Sequence, residues 1–284
     1  MKSIIVTGAN GQLGQCFRAI AKHNADNFIF LTLKDLDITN KKEVESFFSD
    51  TNADWCINCA AYTQVDKAEE DLGLAYNVNA NGAKYVAEAC LKNNMKLIHV
   101  STDFVFNGSS NIAYTESEKT DPLSEYGKSK LKGEKYIIET ISNYFIIRTS
   151  WLYSEHGHNF VKTMLRLGAE RENLKVVGDQ IGSPTYAGDL AKVILKIIKE
   201  DIRLYGTYHY SNEGVASWYD FAKAIFDLKD LDCKVLPIKT EAYPTPAKRP
   251  PFSIMDKSRI KEKLRVEIPY WRYSLSQAIQ KIKI

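Results

Sequence analysis

A tyrosine and a lysine stand four residues apart in the segment Tyr126-Gly127-Lys128-Ser129-Lys130. At the start of a predicted helix, this spacing places both side chains on one face. A free phenol holds its proton too tightly to exchange it well at neutral pH, and a neighbouring ammonium favours the phenolate and lowers the pKa. The pair therefore predicts an acid–base site in which Tyr126 exchanges the proton and Lys130 stabilises the phenolate.

Polar side chains also end the apolar run that precedes this helix. Residues 96–101 read Lys-Leu-Ile-His-Val-Ser, a pattern typical of a buried strand, and Thr102 and Asp103 follow directly. Ligands of open α/β sheets bind at the carboxyl ends of the strands. Thr102 is therefore predicted to hold a carbonyl oxygen of a substrate beside Tyr126.

Three glycines, Gly8, Gly11 and Gly14, follow the first apolar run of the chain. A strand that turns sharply into a helix needs a residue without Cβ at the turn, another where the backbone meets a pyrophosphate, and a third where helix and strand pack closely. The N-terminus of the helix adds free N–H groups and a partial positive charge. Together with the acid–base pair, this spacing predicts a dinucleotide site, in which Lys130 is placed to grip the ribose hydroxyls of the nicotinamide half.

Short β-branched runs alternate with longer segments of helical periodicity through the first half of the chain. This alternation is typical of a parallel sheet with helices on both faces. The predicted fold class is therefore α/β, a doubly wound, Rossmann-like parallel sheet. The predicted strands span residues 3–7, 28–33, 55–60, 96–101 and 144–150, and the predicted helices begin near residue 12 and span 41–49, 75–93 and 124–140.

The alternation loosens after about residue 151. A helix is predicted over 160–170, a strand over 174–177 and a final helix near 273–281. Residues 243–251 contain four prolines, which fix φ and remove hydrogen-bond donors, so this segment is predicted to be a loop lying across a site. We expect a dinucleotide-binding domain over residues 1–150, rejoined by about 186–212, and a smaller α+β substrate-binding lobe over 151–185 and 213–284.

Composition excludes several classes of function. The chain has 284 residues, of which 44% are hydrophobic and 26% charged, and its formal net charge of +3 is too small to indicate nucleic-acid binding. No apolar stretch approaches the roughly 18 residues of a membrane span, and the N-terminus begins a strand without a cleavable leader. These features predict a cytoplasmic protein with a small-molecule partner, no nucleic-acid partner and no membrane partner.

The cysteines and histidines do not indicate a metal centre. Five cysteines are scattered along the chain, which fits a reducing compartment better than a disulfide framework, and the five histidines show no zinc-ligand spacing. Cys56 and Cys59 lie in an apolar run that is typical of a buried strand, where residues three apart point to opposite faces. We interpret them as small buried hydrophobic residues rather than a redox or metal pair.

Five longer motifs stand beside the glycine turn and the Tyr-Lys pair, and together they extend to beyond residue 250. The motifs are residues 58–69 (Asn-Cys-Ala-Ala-Tyr-Thr-Gln-Val-Asp-Lys-Ala-Glu), 101–108 (Ser-Thr-Asp-Phe-Val-Phe-Asn-Gly), 148–153 (Arg-Thr-Ser-Trp-Leu-Tyr), 179–185 (Asp-Gln-Ile-Gly-Ser-Pro-Thr) and 243–250 (Tyr-Pro-Thr-Pro-Ala-Lys-Arg-Pro). With these motifs, the chain resembles the dTDP-4-dehydrorhamnose reductase family of extended short-chain dehydrogenases/reductases.

The resemblance implies roles for individual residues. Thr102, Tyr126 and Lys130 would form the catalytic set. A substrate would contact Thr102, Asp103, Trp151 and Arg249, although Trp151 also fits a core aromatic residue, and Arg249 with its neighbour Lys248 also fits a solvated basic pair. The dinucleotide would contact the residues of the glycine turn, the adenine side and the nicotinamide half, namely Gly8, Asn10, Gly11, Gln12, Leu13, Gly14, Asp37, Ile38, Ala60, Ala61, Tyr62, Tyr126 and Lys130.

The activity implied by the resemblance is a reduction with NADPH or NADH as the cofactor. Hydride would pass to C4 of a dTDP-6-deoxy-4-keto sugar while Tyr126 donates a proton to the developing alkoxide. The product would be dTDP-L-rhamnose, a precursor of surface polysaccharide.

Two departures from the family pattern limit this inference. Some members bridge a dimer through Mg²⁺ held by glutamates, but the corresponding places here hold no glutamate and read Gln15-Cys16-Phe17, Gly188 and, over 280–283, Gln-Lys-Ile-Lys. We therefore predict no such metal site, and a monomer or a homodimer that is not bridged by Mg²⁺. The second strand also lacks an acidic residue at its tip, where Lys34 is compatible with the 2′-phosphate of NADPH.

Two other functions remain open from the residues. One is a regulatory subunit that keeps the dinucleotide fold without turnover, against which the intact set of Thr102, Tyr126 and Lys130 argues. The other is a nucleotide-sugar epimerase or dehydratase, which uses the same Tyr and Lys but recycles its nicotinamide. Dehydratases typically add a second acid after the threonine and aspartate, and here Asp103 is followed by Phe104.

Overall fold

The computed structural model describes residues 1–282. Its strands are β1 (Ser3–Thr7), β2 (Asn27–Leu31), β3 (Trp55–Asn58), β4 (Lys96–Thr102), β5 (Tyr144–Thr149), β6 (Leu152–Tyr153), β7 (Asn173–Val177), β8 (Ile181–Gly182), β9 (Thr185–Tyr186), β10 (Gly206–His209), β11 (Ala216–Ser217) and β12 (Lys234–Ile238). Its α-helices are α1 (Gln12–Ala21), α2 (Lys41–Asp50), α3 (Leu72–Tyr76), α4 (Ala83–Lys92), α5 (Glu125–Thr140), α6 (Phe160–Glu170), α7 (Ala187–Lys199), α8 (Trp218–Lys229), α9 (Ser258–Leu264) and α10 (Trp271–Lys281).

A six-stranded parallel sheet forms the centre of the molecule, in the order β10-β5-β4-β3-β1-β2. Its strands are apolar on both faces because helices cover both, and Ile4, Ile5 and Val6 of β1 are fully buried. The chain leaves β1 toward β2 on one side and returns to β3 on the other, so the order of the strands reverses between β1 and β3. Such a reversal opens a crevice at the carboxyl ends of the strands. The predicted doubly wound fold is confirmed.

Separate hydrophobic clusters fill the two faces of the sheet and a third region. Phe17 of α1 and Ile194 of α7 pack on one face, and Phe48 of α2 and Val86 of α4 pack on the other. A third cluster joins α6, α8 and α10 around the fully buried Phe221. These three helices therefore build a core of their own beside the sheet.

Most of the predicted elements are present, with shifts at their ends. The predicted helix over 160–170 is α6, whereas the second strand ends at Leu31 instead of residue 33. The helix predicted over 75–93 is divided into α3, a wider π-type turn at Asn77–Gly82, and α4. Residues 243–251 form a loop, as the prolines predict. Over residues 1–282, none of the helices combines the length and the apolar character needed to cross a bilayer.

Candidate active site

The turn between β1 and α1 needs glycine at Gly8. Its φ is +64°, in the left-handed region, and a Cβ there would lie 2.6 Å from the backbone nitrogen of Ala60. A Cβ at Gly14 would lie 2.6 Å from Cα of Ala9, so helix and strand also pack too closely for a side chain there. Gly11 precedes α1 as its N-cap, and the first turn of α1 has no acidic residue. The free N–H groups and the positive dipole end at the N-terminus of α1 are available to a phosphate.

Gln12 connects this turn to the segment after β6. Its side-chain oxygen accepts hydrogen bonds from Nδ2 of Asn159 at 2.9 Å and from Oγ of Ser154 at 3.1 Å. Its Nε2 donates to the carbonyl oxygen of Leu152 at 3.3 Å. The side chain of this predicted pyrophosphate residue is therefore engaged within the protein, and its backbone N–H is the group that faces the turn.

The predicted adenine and nicotinamide segments lie at the ends of neighbouring elements. The carboxylate of Asp37 accepts from the backbone N–H and the hydroxyl of Thr39, and Ile38 is buried beneath the π-type turn. The backbone of Tyr62 is held by Asn79, whose Oδ1 accepts from the Tyr62 N–H at 2.9 Å and whose Nδ2 donates to the Tyr62 carbonyl at 3.0 Å. The π-type turn thus serves to aim Asn79 at the loop after β3.

Tyr126 lies on the first turn of α5, opposite the end of β4. Oγ of Ser124 caps the helix by accepting from the N–H of Gly127 at 3.2 Å. The ring of Phe104 meets the Tyr126 ring edge-on, with 5.6 Å between centroids. The Thr102 hydroxyl lies beside the phenol.

Lys130 is buried one turn further along α5, with 2% of its surface exposed. Its Nζ donates to the carbonyl oxygen of Val100 at 2.7 Å and lies 3.2 Å from Nε2 of His99. Burial lowers the pKa of Lys130 to about 8, and the charge of Glu134 and the thiol of Cys59 oppose that shift. Because Cys59 directly precedes the loop that closes on Gly8, Lys130 faces the region of the glycine turn.

The pKa of Tyr126 differs from the sequence prediction. Withdrawal of the phenol from water raises it to about 12, and the hydrogen-bonding contact with Thr102 offsets only part of that rise. The expected lowering by a neighbouring ammonium is wrong for this state of the protein, because Lys130 directs its Nζ at Val100 and His99. Tyr126 is therefore held as a neutral phenol, which is the form that donates a proton.

Asp103 is buried at the end of β4. One carboxylate oxygen accepts from the Thr102 hydroxyl at 3.1 Å, and the other has no hydrogen-bond partner among residues 1–282 within bonding distance, although Ser253 faces the carboxyl. Burial raises the pKa of Asp103 to about 6. A buried carboxyl group with a free oxygen is available to a polar ligand.

Trp151 stands between β5 and β6 with an unusual backbone. Its φ is +47°, and its indole stacks on that of Trp218 with 3.6 Å between ring centroids and 7° between the planes. A Cβ at Gly182 would overlap the same indole, so that glycine leaves room for the ring. Nε1 of Trp218 donates to Oε1 of Gln180 at 3.2 Å. The predicted substrate residue Trp151 is thus half of an aromatic pair.

Arg249 forms a fork-like ion pair with Asp66, at 2.7 and 3.0 Å. Its guanidinium also donates to the hydroxyl of Thr245 and to the carbonyl oxygen of Ala247. The predicted contact with a diphosphate therefore requires this guanidinium to be shared or released. The ion pair instead fastens the proline-rich loop to the 58–69 motif.

The same loop also packs against the end of β4. A Cβ at Gly108 would lie 2.6 Å from Cδ of Pro251, and Ser253 faces the carboxyl of Asp103. The backbone N–H of Ile181 donates to the carbonyl oxygen of Pro251 at 2.8 Å. The end of the segment 243–253 thus contacts Gly108 and Asp103, close to Thr102.

A small cluster of groups that can bind metals lies behind α1. The ligand atoms of Cys16, Glu155 and His156 all lie within 4.8 Å of one another. The carboxylate of Glu155 accepts from the hydroxyl of Tyr186 at 3.0 Å and lies 3.7 Å from Nζ of Lys281, so a positive charge already faces it. Burial raises the pKa of Cys16 to about 12, which keeps the thiol protonated.

The turn after β2 holds an acidic residue four residues beyond the end of the strand. The carboxylate of Asp35 accepts from the N–H and the hydroxyl of Thr32, at 2.8 and 2.7 Å, and so closes this turn. Lys34 is exposed on the same turn. The turn thus carries one charge of each sign, while the strand itself ends at Leu31 without an acidic residue.

Four residues that shape the site are not evident from the sequence. Asn79 and Trp218 lie far along the chain from the groups they hold, and no motif marks them. His99 lies inside an apolar run that is typical of a strand, where nothing indicates a contact with Lys130. Asp66 lies in the 58–69 motif, but nothing in that motif indicates that Asp66 pairs with Arg249. Each acts through a contact in space that spacing along the chain does not reveal.

A glycine turn and a Tyr-Lys pair that meet at the open edge of a parallel sheet are the combination on which extended short-chain dehydrogenases/reductases are built. The fold and the site assign the chain to this class. The model of the RmlD substrate binding domain family matches residues 1–284.

Relatives and solved structures agree with this match over nearly the whole chain. A dTDP-4-dehydrorhamnose reductase of Aggregatibacter actinomycetemcomitans is 44% identical, with 97% of each chain covered. The crystal structure of a dTDP-4-dehydrorhamnose reductase from Clostridium acetobutylicum is similar, with a TM-score of 0.95, 44% identity and 98% of each chain covered. That of the Bacillus anthracis enzyme in complex with NADP has a TM-score of 0.95, 43% identity and 99% of each chain covered.

The chain belongs to the RmlD family of dTDP-4-dehydrorhamnose reductases. The resemblance predicted from the motifs is confirmed.

Proposed function

We propose that this chain reduces the C4 ketone of a dTDP-6-deoxy-4-keto sugar to give dTDP-L-rhamnose, with NADPH or NADH as the cofactor. The observation that carries the proposal is the placement of Tyr126 and Lys130 one turn apart on α5, with Thr102 beside the phenol, at the sheet edge where the glycine turn opens. The names of the relatives and the NADP complex of the Bacillus anthracis enzyme support it.

The residues of the glycine turn fit a dinucleotide. Gly8 leaves a backbone cradle that a Cβ would fill, and the start of α1 presents free N–H groups without a competing acid. When bound, the reduced nicotinamide supplies the hydride. We propose that the turn, the adenine side and the nicotinamide half bind it through Gly8, Asn10, Gly11, Gln12, Leu13, Gly14, Asp37, Ile38, Ala60, Ala61, Tyr62, Tyr126 and Lys130.

The protein's own residues supply the proton and the orientation. The hydroxyl of Thr102, which donates to Asp103 in the ligand-free protein, turns its one proton to the carbonyl oxygen of the sugar and so places that oxygen beside Tyr126. The neutral phenol of Tyr126 gives its proton to the oxygen as negative charge develops there. Lys130 in its ammonium form stabilises the phenolate that remains. Asp103 and Trp151 bind the sugar, and Arg249 binds the diphosphate when it exchanges its partner Asp66 for the ligand.

The stoichiometry of cofactor use tests this function. Purified protein is offered the 4-keto sugar nucleotide with NADH or NADPH, and the loss of absorbance of the reduced ring is compared with the product formed. A reductase consumes one reduced cofactor for each product. An epimerase forms product without net consumption, and a regulatory subunit binds the cofactor without consuming it, so either outcome would overturn the proposal.

Replacement of Tyr126 by Phe tests its role in proton transfer. We expect Tyr126→Phe to lose most turnover, by a factor of at least about 100, because no other group is placed to donate the proton. Affinity for the dinucleotide should change little, as measured by fluorescence titration. Tyr273→Phe, at an exposed tyrosine of α10, is the matched control and should keep normal turnover. Full turnover in Tyr126→Phe would remove the phenol from the mechanism.

We also propose how the chain is divided into domains. Residues 1–150, rejoined by about 186–212, form the dinucleotide-binding domain, and 151–185 with 213–284 form the substrate-binding lobe. The protein works in the cytoplasm as a monomer or a homodimer without an Mg²⁺ bridge. Light scattering after size-exclusion chromatography should give the same mass with and without EDTA, and a loss of mass in EDTA would contradict this proposal.

A further inference from the structure

A chain of buried polar groups links β1 to the candidate catalytic lysine. The hydroxyl of Thr7 donates to Oδ1 of Asn58 at 2.7 Å, Nδ2 of Asn58 lies 3.1 Å from Nδ1 of His99, and Nε2 of His99 lies 3.2 Å from Nζ of Lys130. All four residues are at most 2% exposed. The contacts cross from β1 through β3 and β4 to α5, beneath the glycine turn.

The orientation of the Asn58 amide is fixed by its neighbours. Its Oδ1 accepts from the Thr7 hydroxyl and from the backbone N–H of Ala60 at 3.2 Å. The backbone N–H can only donate, so a reversed amide would place two donors face to face. Nδ2 of Asn58 therefore donates to Nδ1 of His99. A neutral imidazole whose Nδ1 accepts carries its proton on Nε2.

The proton on Nε2 points at Lys130. An ammonium has only donors, so the contact between Nε2 of His99 and Nζ is a hydrogen bond only when the lysine is a neutral amine with a lone pair. The charged groups that face Lys130 are Glu134 and, when ionised, the thiol of Cys59, and both favour its ammonium. Burial opposes the charge on both Lys130 and His99, and Lys130 further lowers the pKa of His99.

We propose that His99, held in its Nε2–H tautomer by Asn58, is a positioning residue that favours the neutral amine of Lys130 in the ligand-free protein. The pKa of Lys130, lowered to about 8, shifts in the same direction: the ammonium still predominates at pH 7, and the neutral amine predominates above about pH 8. Lys130 then exchanges a proton with water near pH 8: the amine lone pair takes up one proton to give the ammonium, and the ammonium releases it again. The inference rests on the proposed function only in assigning Lys130 a role beside Tyr126.

The tautomer of His99 is directly measurable without any turnover. Long-range proton–nitrogen correlation spectra of protein labelled with ¹⁵N-histidine distinguish the two neutral tautomers, and we expect His99 to carry its proton on Nε2. The His99→Gln variant assigns the signal by its disappearance. A proton on Nδ1, or a doubly protonated ring at neutral pH, would overturn the inference even if the protein is a reductase.

Two substitutions replace the donor that faces Nζ of Lys130 with an acceptor. In Asn58→Asp, one carboxylate oxygen still accepts from Thr7 and Ala60, while the other accepts from Nδ1–H of His99 and so reverses the tautomer. In His99→Gln, a side-chain carbonyl replaces Nε2–H. Both changes offer Lys130 an acceptor, so the ammonium should persist to higher pH.

We expect the titration of Lys130 to move upward by at least about one pH unit in both variants, because each gives its ammonium a partner. The titration is followed by the ¹³Cε signal of Lys130 in labelled protein, assigned by its loss in Lys130→Met. In the reductase assay, the basic limb of the pH profile of kcat/KM should move the same way.

His209→Gln is the matched control. His209 is a fully buried histidine of β10 that contacts Arg148 instead of Lys130, so its replacement carries a similar structural cost and should leave the titration of Lys130 in place. An unchanged titration in folded Asn58→Asp and His99→Gln, or an equal shift in His209→Gln, would overturn the inference. Failure of the wild-type protein to oxidise NADH or NADPH would overturn the proposed function. The His99 tautomer and the Lys130 titration would still decide the present inference, because neither measurement needs turnover.

Discussion

At the scale of single residues, the site is built from polar groups that the protein has taken out of water. Burial raises the pKa of Tyr126 to about 12 and that of Asp103 to about 6, and it lowers that of Lys130 to about 8. Each shift favours the neutral form of its group. A bound ligand that carries charges or partial charges can stabilise the charged forms that burial disfavours. We therefore expect ligand binding to change the protonation of these three groups.

Asp103 should make stability depend on pH. Its folded pKa lies above the unfolded value of 3.8, so the folded state binds more protons over that interval and stability falls as pH rises from about 4 to about 6. The loss reaches about 3 kcal/mol at neutral pH. Asp103→Asn should therefore gain stability relative to the wild type across this interval, as measured by urea unfolding at a series of pH values. A difference that is constant with pH would show that Asp103 does not titrate in this range.

Residue types and spacing single out Thr102, Tyr126 and Lys130 as candidates, because an acid–base pair one helical turn apart has a signal along the chain. The state of these groups was not predictable in the same way. The pKa of Tyr126 depends on which way Lys130 points, and that direction is set by Val100 and His99 across the sheet. Burial and partner choice are properties of the packed structure.

At the scale of elements, two backbone features aim the site. The turn after β1 approaches the end of β3 so closely that Gly8 has no room for a side chain, and the cap of α5 at Ser124 fixes the turn that carries Tyr126. Periodicity predicts such strands and helices because their apolar spacing follows their own geometry. It does not predict the π-type turn at Asn77–Gly82, whose Asn79 bonds to the backbone of Tyr62 and to the hydroxyl of Ser129, because apolar spacing carries no signal of these contacts.

Gly8→Ala should destabilise the protein by at least about 2 kcal/mol, since the new Cβ meets a left-handed backbone and the nitrogen of Ala60 at 2.6 Å. It should also weaken binding of the dinucleotide by tilting the turn. Gly73→Ala is the control, because Gly73 lies in α3 with nothing within 4 Å of a Cβ and should gain up to about 1 kcal/mol. Urea unfolding gives both numbers, and equal effects at the two positions would contradict the close approach at Gly8.

At the scale of the whole molecule, side chains join the segment after β6 and the proline-rich loop to the elements around the first three strands of the sheet. Gln12 of α1 reaches Asn159 and Ser154, and Arg249 in the proline-rich loop grips Asp66 beyond β3. The sequence predicts that residues 243–251 form a loop because of its prolines. It does not predict that Arg249 is paired, since its partner lies 183 residues away.

Loss of the Arg249 fork should loosen the proline-rich loop. Arg249→Lys keeps the charge but cannot reproduce the planar pair with Asp66, so we expect thermolysin to cleave within residues 243–251 several-fold faster. Arg203→Lys, at an exposed arginine that pairs with Asp201, is the control and should not alter cleavage there. Equal cleavage rates in the wild type and Arg249→Lys would show that the loop is held by its other contacts.

The stacked indoles of Trp151 and Trp218 have an optical consequence. Two stacked indoles whose ring centroids are 3.6 Å apart couple their transitions, and where the two rings are turned relative to each other within their planes the pair produces a circular-dichroism couplet that vanishes in either single Trp→Phe variant. Trp151 also belongs to the proposed sugar-binding surface. If a bound sugar nucleotide shifts one ring against the other, its binding can be measured as a change of that couplet, without any label on ligand or protein.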